Sequence, residues 1–112
     1  RTRNLRENSK SERELEILRV KAPTVDKTLS NQIVSFVQKL REIDLFKVPG
    51  VAETIDWAHA LTQLDCSSLD PDLLNDTLGT ILKYQDDIAK IQGSEASRIL
   101  NEVKMELASV SS

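Results

Sequence analysis

A chain of 112 residues, 39% hydrophobic and 29% charged, has the size of one domain and the balance of a folded one. Its net charge of −3 argues against a dedicated nucleic-acid binder, and a lone cysteine, Cys66, excludes an intrachain disulfide framework. No apolar run approaches the ~20 residues that a membrane-spanning helix needs.

Helix signals recur along the chain. Strand signals do not: no segment alternates apolar and polar residues cleanly, and no Asn-Gly or Asp-Gly hairpin turn occurs. Residues 1–10 are polar and charged and read as an irregular segment. Ser11 and Glu14 then form a capping-box pattern that opens a first helix to about Val20. Leu15, Leu18 and Ala22 share one stripe of that helix with Ile17 beside it, and Pro23 ends it. Leu29, Ile33, Phe36, Val37 and Leu40 make one apolar face of a second helix, from about Asp26 to Ile43. Leu45–Gly50 is a connector closed by a Pro-Gly turn.

A third helix is predicted over Val51–Leu64, with Ile55, Trp57, Ala58 and Leu61 on its buried side and Glu53 and Asp56 near its positive end. Asp70 caps a fourth helix and Pro71 takes its first position, with Leu74, Leu78, Ile81 and Leu82 inward. Gly79 interrupts that helix and suggests a close helix–helix approach. Tyr84–Ile91 continues as helix or a broken turn and Gly93 stops it. Ser94 is the expected cap of a last helix carrying Ile99, Leu100, Val103 and Leu107. The expectation is an all-α, compact bundle of five to six short helices over residues 11–108, with 109–112 a frayed tail.

The charge is uneven: residues 1–50 carry an excess of +4 and residues 51–112 one of −7. That asymmetry suggests subdomain or partner polarity, and solvated helix faces are the plainer reading. Chemistry is scarce. No G-x-x-x-x-G-K-S/T loop is present to cradle phosphates. One His and one Cys cannot make a structural zinc site. Asp70/Asp72 and Asp86/Asp87 lack the offsets of a calcium loop, and cap or surface roles suit them better. An enzyme built on Cys66 and His59 lacks the rest of a triad. Trp57 reads as a core anchor. The start of the third helix has free N–H groups that can receive phosphate, although Glu53 already answers part of that field.

The run Pro49-Gly50-Val51-Ala52-Glu53-Thr54-Ile55-Asp56-Trp57-Ala58 resembles the lid of MoxR-type AAA+ ATPases. The pieces Leu69-Asp70-Pro71, Asp76-Thr77-Leu78-Gly79 and Leu82-Lys83-Tyr84 follow in the family's order. Upstream, Ser11–Pro23 resembles the first lid helix and Ile33–Lys47 the second, so the resemblance covers roughly residues 11–91. Arg1-Thr2-Arg3-Asn4 resembles the end of the ATPase core, which would make residues 1–10 a remnant of it.

The resemblance implies a cytoplasmic parent ATPase that is a hexameric homo-oligomer, binds ATP with Mg, and acts as a chaperone in assembling metal or cofactor enzymes. Its partners would be the ATPase core of the same chain and a von Willebrand A-domain protein, with no nucleic acid and no membrane. The first lid helix would lie beside the nucleotide through Leu15, Ile17 and Leu18, and the third through Gly50, Val51, Glu53 and Thr54. Many AAA+ lids carry a phosphate-sensing arginine there. Val51–Thr54 has none, so no sensor residue is assigned. The fragment itself is expected to be non-catalytic and to need no cofactor when isolated. The alternative from the residues alone is a free-standing helical protein-interaction module. The chain opens at Arg1 rather than Met, which marks it as an expected piece of a longer protein.

Overall fold

The computed structural model describes the backbone of residues 2–66 and 68–111, and the side chains of residues 12–66 and 68–108. Along them run α1 (Thr2–Lys21), α2 (Lys27–Leu40), α3 (Val51–Gln63), α4 (Pro71–Ile81), α5 (Gln85–Ile91) and α6 (Ser94–Ser111), and no strand occurs among the described residues. The chain is thus an all-helical bundle. No helix among the described residues is long and apolar enough to cross a membrane.

The bundle is organised around α2, which packs against α1, α3 and α6. Leu29, Ile33, Val34, Phe36, Val37 and Leu40 of α2 are all buried. Each such side chain gains roughly 1.5–3 kcal/mol on leaving water, enough to hold a helix whose isolated form would be marginal. Trp57 of α3 is fully buried and its ring meets Phe36 at 5.6 Å, tilted by 52°. Its indole N–H donates to the Thr77 hydroxyl of α4 at 2.8 Å, and that hydroxyl donates on to the Leu73 carbonyl at 2.8 Å. Trp57 is therefore the core anchor its position suggests, and its one polar atom ties α3 to α4.

The helix ends show where local signals win and where they lose. Asp70 caps α4 as expected, accepting from the Leu73 N–H at 2.9 Å with Pro71 in the first turn. The α-helical ladder of α2 stops at Leu40 rather than Ile43, because Glu42 and Ile43 bond three residues back, to Lys39 and Leu40, in a tighter turn. Asp65 ends α3 at a φ of 57° and Gly93 separates α5 from α6 at a φ of 83°. The Ser97 N–H bonds to the Gly93 carbonyl, so Gly93 rather than Ser94 precedes the first turn of α6.

Four further expectations are corrected. α1 begins at Thr2, so residues 2–10 are helical rather than irregular. Ser11–Glu14 opens no helix, and Glu14 turns into the core instead. Residues 109–111 belong to α6 and are not a tail outside it. Gly79 makes no close approach, because a side chain there would meet nothing within 4 Å.

Candidate functional site

The buried face of α1 carries a carboxylate. Glu14 lies one turn before Leu18 on the inward stripe and is 4% exposed. A buried charge needs opposite charge and hydrogen bonds, and Glu14 receives both. Arg41, just past α2, donates from Nη1 to Oε1 and from Nη2 to Oε2, each at 2.8 Å. Gln38 of α2 donates to Oε1 at 2.9 Å, and the Thr54 hydroxyl of α3 reaches Oε2 at 3.0 Å. Arg41 also donates from Nε to the Pro49 carbonyl at 2.8 Å.

The same network fixes the start of α3. The Gly50 N–H donates to Glu53 Oε1 at 2.8 Å, the return half of a capping box whose other half a glycine cannot supply. That N–H is the main reason the Glu53 carboxyl sits below its ordinary value, followed by its own N–H, with Lys83 and Lys47 adding to the effect. Lys83, between α4 and α5, stands 3.7 Å from Glu53. Glu14, Gln38, Arg41, Gly50, Glu53 and Thr54 thus form one junction of α1, the end of α2 and the start of α3.

The seven residues expected near nucleotide differ in exposure. Leu18 and Thr54 are inside the core, at 1% and 0% exposure, and offer no surface to a ligand. Leu15, Ile17, Gly50 and Glu53 are half-buried, and Val51 is exposed. Ile17 also lines a shallow cavity of about 300 Å³ with Arg13, Glu16, Val20 and Lys21, a set that includes none of the α3 residues. The structure joins α1 to the α3 start through Glu14, expected as a capping residue, and through Arg41, which is not among the expected site residues.

Beside the α3 start lies an exposed apolar patch. Phe46 and Tyr84 stack at 5.7 Å with 23° between their planes, yet are 73% and 51% exposed. Val48 and Val51 are exposed as well.

The remaining reactive groups are placed otherwise. Cys66 is half-buried, its thiol donates to the Leu61 carbonyl at 3.3 Å, and burial pushes its pKa up, the reverse of what a nucleophile requires. His59 is exposed on α3. Among the described residues no group of three or more His, Cys, Asp or Glu is placed to hold a metal ion. Set against known proteins, the chain matches no family model, no curated protein and no solved structure.

Proposed function

We propose that this chain is the helical lid of a MoxR-type AAA+ ATPase, a module that closes over ATP held by a separate core and supports assembly of the ATPase oligomer. The observation that carries the reading is the Glu14–Thr54 contact. The resemblance assigns two stretches of sequence to the nucleotide, and Thr54 belongs to one while Glu14 adjoins the other; forty residues apart, they meet at 3.0 Å. A lid needs such a tie, because its first and third helices must move together for closure to reach a nucleotide as one body. On this reading Leu15, Ile17, Gly50, Val51 and Glu53 supply the surface, and Leu18 and Thr54 set it from behind. Binding energy for ATP and Mg comes mainly from the core, and the lid performs no chemistry by itself. The oligomer, the cytoplasmic setting, the von Willebrand A-domain partner and the chaperone role in metal- or cofactor-enzyme assembly belong to the same proposal.

The test is the reading frame upstream of the Arg1 codon. A phosphate-binding loop followed by an acidic strand end in the same frame supports a lid. A start codon directly before Arg1, with no such core, overturns it. As a second check, the purified chain is expected not to hydrolyse ATP, and robust turnover would contradict the assignment.

A second reading is favoured by the Phe46–Tyr84 patch. Large exposed aromatics are the residues that dominate protein interfaces, so a helical interaction module would use this end of the bundle. Loss of partner binding on Phe46→Ser, in a chain shown to have no ATPase core, would select it.

A further inference from the structure

Asp87 of α5 is 2% exposed, and no lysine or arginine among the described residues pairs with it. Its two oxygens accept the backbone N–H groups of Phe46 at 2.9 Å and Lys47 at 3.1 Å, forty residues away in the segment joining α2 to α3. Two further fixings of residues 44–48 come from the same short helix and the residue that caps it. Lys90 donates to the Asp44 carbonyl, and Tyr84, which precedes α5, stacks on Phe46. Residues 84, 87 and 90 are spaced three apart and so share one side of α5.

Residues 44–48 have a single apolar hold: Leu45 is half-buried and packs against the core, while Phe46 and Val48 are exposed. Apart from Leu45 their attachment is polar and local, whereas α2, α3 and α4 are joined by several fully buried side chains. Opening would also return to water a carboxylate that is buried without a cation, so part of the cost of burying it is recovered in the open form.

We infer that residues 44–48 form a strap latched onto α5 at Asp87, which opens and closes without unfolding the bundle and carries the Phe46 ring with it. The strap leads directly into Gly50 and the α3 start, so its opening changes both the exposed aromatic pair and the approach to the Glu14–Thr54 junction. The inference rests on the Asp87 geometry and stands whether or not the chain is an ATPase lid.

Native-state amide hydrogen exchange on the full chain tests it. The Phe46 and Lys47 amides are expected to exchange at least about tenfold faster than core amides such as those of Val37 and Leu61, and to show little dependence on low urea, because a local opening exposes little surface. Asp87→Asn replaces one acceptor by a donor and is expected to speed the Phe46 and Lys47 amides by roughly another tenfold while leaving Val37 and Leu61 nearly unchanged. Exchange of Phe46 and Lys47 at the core rate with the core's urea slope would overturn the strap, since opening would then be global unfolding. Equal acceleration of every amide in Asp87→Asn would overturn it too. If that variant does not fold, the urea dependence of the unaltered chain decides.

Discussion

Arg41 grips Glu14 with both terminal nitrogens at 2.8 Å, one to each carboxylate oxygen, and turns its Nε to the Pro49 carbonyl. Three chain segments meet in that one guanidinium: α1, the end of α2 and the entry to α3. A planar fork suits a carboxylate in a way that an ammonium does not.

Removing the fork strands a buried carboxylate. Arg41→Ala is expected to lower stability by about 3 kcal/mol, the low end for breaking a buried pair, because water reaches part of Arg41. Arg41→Lys keeps a charge but loses the two-pronged geometry, so it should fall between wild type and Arg41→Ala. Urea unfolding monitored by Trp57 fluorescence measures all three. An Arg41→Ala loss below ~1 kcal/mol would place the pair in the range of surface ion pairs and deny it a structural role.

The indole of Trp57 depends on a single acceptor, the Thr77 hydroxyl at 2.8 Å. Thr77→Val keeps the shape and removes the acceptor, leaving a fully buried N–H unpaired at a cost of about 1–3 kcal/mol. Thr77→Ser keeps the acceptor and should cost less. Equal stability of the two variants, read from thermal unfolding, would show that the hydrogen bond contributes nothing and that Trp57 is held by packing alone.

The apolar part of this fold was legible because it repeats at helical spacing. Leu29, Ile33, Phe36, Val37 and Leu40 are all buried, and Asp70-Pro71 does start α4. The polar part was not, because local capping rules compete with tertiary pairing. Glu14 fits a capping box with Ser11, yet it also falls on the Leu15–Leu18–Ala22 stripe, and that second fact was the available signal. Asp87 lies on a stripe with Ile88 and Ile91 in the same way. An acidic residue on an inward stripe announces a buried partner, but the sequence does not say that the partner is Arg41 in one case and two backbone N–H groups in the other. At the α3 entry the Glu53 carboxylate answers the Gly50 N–H, as its place in the first turn predicts.

That carboxylate also sets a pH dependence. The Glu53 pKa is lowered from its ordinary value of 4.5, chiefly by the Gly50 N–H. A group depressed in the folded state contributes stability that is present above its unfolded pKa and is lost as pH falls through its folded one. Glu53→Gln keeps an oxygen for Gly50 but has no charge to titrate. The stability difference between wild type and Glu53→Gln should therefore be constant near neutrality and shrink as pH falls below 4.5. Urea midpoints between neutral pH and pH ~3 test this window. A difference that does not vary with pH would mean that the charge of Glu53 does not contribute.

Two glycines should respond to alanine with opposite signs. Gly79 lies inside α4, is exposed, and has open space where a Cβ would sit. With no clash to offset it, the helix propensity of alanine and the reduced freedom of the unfolded chain should make Gly79→Ala more stable by roughly 0.5–1 kcal/mol. In a domain of this size that is a rise of about 4 °C in Tm. Gly93 has equally open surroundings but a φ of 83°, a region that an L side chain enters at a cost of about 1–2 kcal/mol. Gly93→Ala should therefore lower Tm although nothing blocks the added carbon, since the turn into α6 depends on that backbone angle. Thermal unfolding of the two variants separates space from backbone geometry: a rise in Gly93→Ala would show that the left-handed turn does not require glycine there, and a fall in Gly79→Ala would show that open space and helix propensity do not decide at that position.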